Sequence, residues 1–210
     1  MLEDALAALA GALDEAGAPW MIIGGIAVIA RGVRRFTSDI DAAVRGDAIS
    51  VEQLLSVLAR HDILPRIDGA AAFAQQNLVL LLRHAPSGVD LDVSQAWSSF
   101  EHEALASSTR ARFGRVQAPM STPEDLVVFK AIAGRPKDVE DVEALLVLHP
   151  GIDLVRARKR VAELAELAEL PELVAGFDAT VARAERGPLA QTTGAPSPSP
   201  PRQRPRRRKS

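Results

Sequence analysis

Residues 20–41 read Trp20-Met21-Ile22-Ile23-Gly24-Gly25-Ile26-Ala27-Val28-Ile29-Ala30-Arg31-Gly32-Val33-Arg34-Arg35-Phe36-Thr37-Ser38-Asp39-Ile40-Asp41, and their order decides the fold. Trp20 to Ile23 runs without a polar break, the pattern of a buried strand. Gly24 and Gly25 interrupt it, and Ile26 to Arg31 reads as a short helix. Ser38 to Val44 then alternates acid and apolar residues. On a strand the side-chain period is 2, so Asp39 and Asp41 are expected on one face with Ile40 turned into the core. Strand, diglycine, helix and a strand bearing paired acids together predict an α/β (α+β) domain.

Outward from this stretch the punctuation is regular. Upstream, Leu2, Leu6, Leu9 and Leu13 lie at helical spacing and stop at Gly17 and Pro19. Downstream, Val51 to Ala59 has helical periodicity, Ile63 to Ile67 and Leu78 to Arg83 read as strands, and Val89 to Val93 forms a hairpin with the latter around Pro86, Ser87 and Gly88. From Ser121 the texture is helical. Thr122 caps, Pro123 suits the first helical position, and Glu124 and Asp125 suit the positive end of the helix dipole. Pro136 opens a second helix, and residues 153–170 and 171–185 read as two more. The expected organisation is an α/β core with a small mixed sheet over residues 1–120, a helical C-terminal region over 121–186, and a disordered basic tail over 187–210.

The 25 Lys and Arg against 27 Asp and Glu hide an asymmetry. Residues 187–210 hold five Arg, one Lys and no acid, which leaves 19 bases against 27 acids, a formal −8, in the rest of the chain. With Pro, Ser, Thr and Gly dominating, that tail has too little apolar surface to offset ordering entropy. There is no cysteine, which excludes disulfides, thiolate metal sites and a Cys nucleophile, and accords with a reducing compartment. Glu3 and Asp4 stand where a secretory signal would be basic, and the longest apolar run, Ala18 to Ala30, falls short of the roughly 20 residues that span a bilayer. The expectation is a cytoplasmic protein with no membrane association.

Two carboxylates held on one strand face repel each other, so Asp39 and Asp41 mark either an openly solvated face or a bound cation. Asp90 and Asp92 flank Leu91 in the same way. If the two strands are neighbours, four carboxylates share one patch of sheet. Oxygen-only ligation suits Mg²⁺ or Mn²⁺, and such ions align an attacking hydroxyl with a phosphorus and a leaving oxygen. Gly24 and Gly25, between strand and helix, form either a tight turn or a place for a phosphate at free backbone amides, with Arg34 and Arg35 as candidate cations. The dinucleotide and Walker fingerprints are missing. His61, His84, His102 and His149 are scattered without ligand spacing, and no G-x-S-x-G elbow exists.

Gly24, Gly25, Asp39, Asp41 and a later acid resemble the pattern of the nucleotidyltransferase superfamily of DNA polymerase beta type. Arg35-x-Thr37-x-Asp39-Ile40-Asp41, followed by Lys130 and by Arg135-Pro136-Lys137-Asp138-Val139-Glu140-Asp141, looks like the AbiE-type toxin nucleotidyltransferases. The resemblance implies transfer of a nucleoside monophosphate from an NTP to an acceptor hydroxyl. Asp39, Asp41 and Asp92 would hold the metal, with Asp90 the competitor for the third position. Lys130 would serve the phosphates, and Asp138 would orient Lys130 or a base. Gly24, Gly25, Arg35, Thr37, Ser38 and Lys130 would line the nucleotide. The implied acceptor is RNA, including a tRNA end, with a cognate antitoxin as partner. The alternatives are nucleotidylation of a small molecule, as in aminoglycoside-modifying relatives, and a catalytically silent member that binds nucleotide or RNA.

Overall fold

Leucines at helical spacing bury one face of α1 (Leu2–Ala16): Leu6, Leu9 and Leu13 are fully buried. Gly17 ends the helix at φ 70°, a left-handed conformation that glycine adopts without strain. The computed structural model describes residues 1–186; the tail proposed for residues 187–210 lies outside them. After α1 come β1 (Trp20–Ile23), α2 (Gly24–Ala30), β2 (Ile40–Arg45), α3 (Val51–Arg60), β3 (Ile63–Pro65), α4 (Ala70–Asn77), β4 (Val79–His84), β5 (Val89–Ala96), α5 (Ser99–Ser107), β6 (Thr109–Phe113) and β7 (Val116–Met120). Four helices follow: α6 (Pro123–Ala133), α7 (Pro136–Leu148), α8 (Leu154–Leu167) and α9 (Glu172–Glu185).

The fold is α/β with one mixed seven-stranded sheet in the order β3-β4-β5-β2-β1-β7-β6. β2 lies between β1, antiparallel to it, and β5, parallel to it. β4 and β5 form the hairpin expected from Pro86-Ser87-Gly88. Ile40, Ala42 and Val44 of β2 are buried, as are Leu91 and Val93 of β5 and Leu80 and Leu82 of β4, so apolar side chains carry the core from strand to strand. The register pairs Ile40 with Leu91 and Asp41 with Asp92. Parallel partners share a face, so burying the isoleucine and leucine sets the two carboxylates beside each other on the opposite face.

Helices close both the sheet and the site. α1 packs on α3 and touches β2 and β7, while α2 packs on β1 and β2 and meets α6. Helices α6 to α9 pack mutually. α6 begins as its sequence requires: the Thr122 hydroxyl accepts from the Asp125 amide at 3.1 Å, and Pro123 takes the first turn. Among the described residues no helix is long and apolar enough to cross a membrane.

Four elements escaped the sequence patterns. α4 is alanine-rich with a weak apolar stripe, and left-handed residues, Gly69 and Leu78, stand at its two ends. α5 is capped by a Ser98–Glu101 box but buries only Phe100, Ala104 and Leu105. β6 is an exposed edge strand, and β7 buries Val116, Ala118 and Met120 on one face although it contains Pro119.

Leu9→Ala deletes a fully buried side chain remote from the acids. It should lower unfolding free energy by about 2–5 kcal/mol, read by urea denaturation followed through tryptophan fluorescence. An unchanged midpoint would remove α1 from the core.

Candidate active site

β2 begins only at Ile40, so Asp41 is carried by the strand and Asp39 by the bend before it. The diglycine explains itself against these acids. A Cβ on Gly24 would stand 1.9 Å from Asp41 Oδ2, and Gly24 has φ 61°. A Cβ on Gly25 would stand 2.5 Å from the Thr37 hydroxyl oxygen. Only glycine permits both approaches. The Gly25 amide faces the Asp41 carboxylate and opposes the rise in its pKa. Thr37, buried, donates its hydroxyl to Asp39 Oδ1 at 2.9 Å.

Asp41 carries negative charge that its surroundings do not balance. Burial raises its pKa, and the charges of Asp39 and Asp92 raise it further; Lys130 and the Gly25 amide oppose them. Asp92 is also raised by burial, against the pull of Arg66. Asp90 is held differently. Arg83 Nε donates to it at 2.7 Å and Arg66 at 3.2 Å, and its pKa is lowered, chiefly by the Arg83 bond. The Arg66 guanidinium also grips Asp92. Ser38, Asp39, Arg66, Gly88, Asp90 and Asp92 line an open cleft of about 340 Å³.

Among the described residues, no three His, Cys, Asp or Glu side chains converge as a ready-made metal site. The chemistry of the acids nonetheless fits a cation. They offer oxygen ligands alone, and the charges of Asp39 and Asp92 add to the burial that pushes Asp41 upward.

Behind the acids lies a second charged cluster, buried where the sequence reading put a lysine serving phosphates. Lys130, 5 % exposed, donates to Asp138 Oδ1 at 2.8 Å and lies 3.0 Å from Asp141 Oδ2. Arg135 Nε reaches Asp138 at 2.5 Å, and the Arg35 guanidinium pairs with Asp141. Burial would raise the Asp138 carboxyl, but its bonds to Arg135 and Lys130 prevail and lower it. Three cations and two anions leave one excess positive charge. Lys130 pulls the Asp41 pKa down, and the charges of Asp41 and Asp39 in turn help to raise that of Arg135.

Asp39, Asp41, Asp92, Gly24, Gly25, Thr37 and Ser38 are thus gathered at one end of β2 and β5, while Arg35, Lys130 and Asp138 form the adjoining network. Asp138 accepts a hydrogen bond from Lys130. Arg35 pairs with Asp141 and ties the loop before β2 to α7. Sequence reasoning missed Arg66 and Arg83, and quoted Arg135 in its motif without giving it a role. The hairpin register Arg83↔Asp90 was open to inference from the turn, whereas Arg66 carries no local signal. Each histidine has a hydrogen-bond partner: His61 pairs with Glu15, His84 with Ser87, and His102 and His149 with backbone carbonyls.

No curated protein matches. Solved structures align at low identity: ANT(2'')-Ia in solution (16 % identity, 86 % of this chain and 93 % of that one, TM-score 0.48), ANT(2")-Ia in complex with adenylyl-2"-tobramycin (17 %, 86 % and 99 %, TM-score 0.48), and an antigenic nucleotidyltransferase-like protein from Paracoccidioides brasiliensis (18 %, 84 % and 92 %, TM-score 0.49). A likeness at that level carries no argument about chemistry. A family model does match residues 1–172, most of the chain. By that match the chain belongs to the family described as nucleotidyltransferase of unknown function (DUF6036).

Proposed function

We propose that the protein moves a nucleoside monophosphate from an NTP to an acceptor hydroxyl and releases pyrophosphate, using a divalent cation held by Asp39, Asp41 and Asp92. The observation that carries this reading is the β2–β5 register, which puts Asp41 beside Asp92 with Asp39 at the adjoining bend. Mg²⁺ or Mn²⁺ bound there would supply charge neutralisation and alignment of the attacking and leaving oxygens. The Gly25 amide and the Thr37 hydroxyl hold Asp41 and Asp39 in orientation. Asp92 is preferred to Asp90 as the third acid because Asp90 is already paired with Arg83 and lies one pleat further from Asp41. Residues 1–120 form the catalytic core in this reading. Residues 121–186 contribute Lys130, Arg135, Asp138 and Asp141, which together with Arg35 carry one excess positive charge that favours anionic phosphates at the acids. An ammonium has three N–H donors and two face carboxylates here, so Lys130 retains one for a phosphate oxygen.

RNA is the acceptor we favour, following the sequence resemblance, with an antitoxin as a further partner. The Arg-rich residues 202–209 would add affinity for RNA through counterion release. Incubation with α-labelled NTPs, Mg²⁺ and separated RNA, protein and metabolite fractions decides the class. Label confined to metabolites would replace RNA by a small molecule.

Asp39→Asn, Asp41→Asn and Asp92→Asn should each lower transfer by on the order of 10²-fold or more while the protein stays folded by circular dichroism. Asp90→Asn should keep most of its activity. Full turnover in excess chelator, or an inactive Asp90→Asn beside an active Asp92→Asn, would contradict the metal or the choice of third acid respectively. Gly24→Ala adds a methyl into the Asp41 carboxylate at positive φ. It should cost about 1–3 kcal/mol in chemical denaturation and abolish transfer, and a stable, active variant would separate the diglycine from Asp41.

A further inference from the structure

Arg66 stands where the proposed reaction needs a cation and where no sequence pattern announces one. It follows the three-residue edge strand β3, and its amide donates to the Leu81 carbonyl at 2.9 Å. From there its guanidinium reaches across β4 to both acids of β5, contacting Asp92 and lying 3.2 Å from Asp90. The two acids differ in what else holds them. Asp90 has a second arginine, Arg83, at 2.7 Å, whereas Arg66 is the cation paired with Asp92 among the described residues. Departure of Arg66 would therefore leave Asp90 compensated and Asp92 bare beside Asp41. The side chain is one quarter exposed in the cleft wall, so it has room to leave.

We propose that Arg66 is a positioning residue that occupies Asp92 as a stand-in for a divalent cation in the ligand-free protein and gives the carboxylate up when that cation binds. The proposal rests on the metal reading above. It accounts for two observations together: the three acids do not converge as a metal site, yet Asp92 keeps a single cationic partner, the Arg66 guanidinium, among the described residues. A guanidinium bonded to a carboxylate occupies the lone pairs a metal would use. The two cations therefore compete for one ligand, and the affinity for metal is reduced by the cost of displacing Arg66.

The test is Mn²⁺ binding to nucleotide-free protein, followed by the electron paramagnetic resonance signal of free Mn²⁺ and by isothermal titration calorimetry. Arg66→Met should bind Mn²⁺ on the order of tenfold more tightly than wild type, the effect of removing a competing pair worth about 1 kcal/mol or somewhat more. Arg66→Lys, which keeps the charge, should stay near wild type. In an Asp92→Asn background, Arg66→Met should give no such gain. A merely structural arginine would, if anything, weaken metal binding when removed. Unchanged or weaker binding by Arg66→Met would overturn the proposal, as would an equal gain in the Asp92→Asn background. If Arg66→Met leaves the affinity unchanged while Asp41→Asn abolishes binding, the Arg66 proposal falls and the metal reading stands. Absence of Mn²⁺ binding in both wild type and Arg66→Met overturns both.

Discussion

Two carboxylates fixed side by side in the middle of a sheet are the constraint around which this protein is arranged. The β2–β5 register holds Asp41 against Asp92, and Asp39 adds a third negative charge at the bend. Like charges in a half-buried place need compensation. The groups nearby supply it in graded ways: a backbone amide at Gly25, the Thr37 hydroxyl, the Arg66 guanidinium, and the net positive Lys130 network one layer behind. What remains unbalanced is centred on Asp41. Natural proteins hold such charge where a cation or a reaction makes use of it.

The helical region is tied to the sheet by charge as well as by apolar packing. Arg35 reaches from the loop before β2 to Asp141 on α7, and Lys130 of α6 lies between Asp138 and Asp141. Removing one member of such a buried cluster strands its partners, which is far more costly than never having built it. The same five side chains therefore join α6 and α7 to the acidic end of the sheet and set the field there. That dual role explains why a lysine that a pattern match assigns to phosphates is found 5 % exposed and doubly paired.

Much of this was legible in the chain because it is local. Alternation marks Asp39-Ile40-Asp41 and Asp90-Leu91-Asp92, the turn residues predict the β4–β5 hairpin, and Thr122, Pro123 and Pro136 announce α6 and α7. The pairing of β2 with β5 spans some fifty residues and depends on packing, so no local signal carries it. Arg66 was invisible for the same reason: its partners are 24 and 26 residues away. The glycines were read as a tight turn or a phosphate site, and a sequence does not show that the space beside Gly24 is filled by Asp41. β7 was not read from the sequence; pairing with β1 and β6 sets its Val116-Ala118-Met120 alternation into the core.

The central claim is that the acids serve transfer of a nucleotidyl group, with cleavage between the α- and β-phosphates. The direct measurement compares α-labelled with γ-labelled NTP in parallel reactions, with Mg²⁺ and the RNA fraction. The account predicts that α-label enters the acceptor while γ-label leaves as pyrophosphate, and that Asp41→Asn abolishes both. Entry of γ-label into the acceptor would mark a phosphoryl transfer and contradict it.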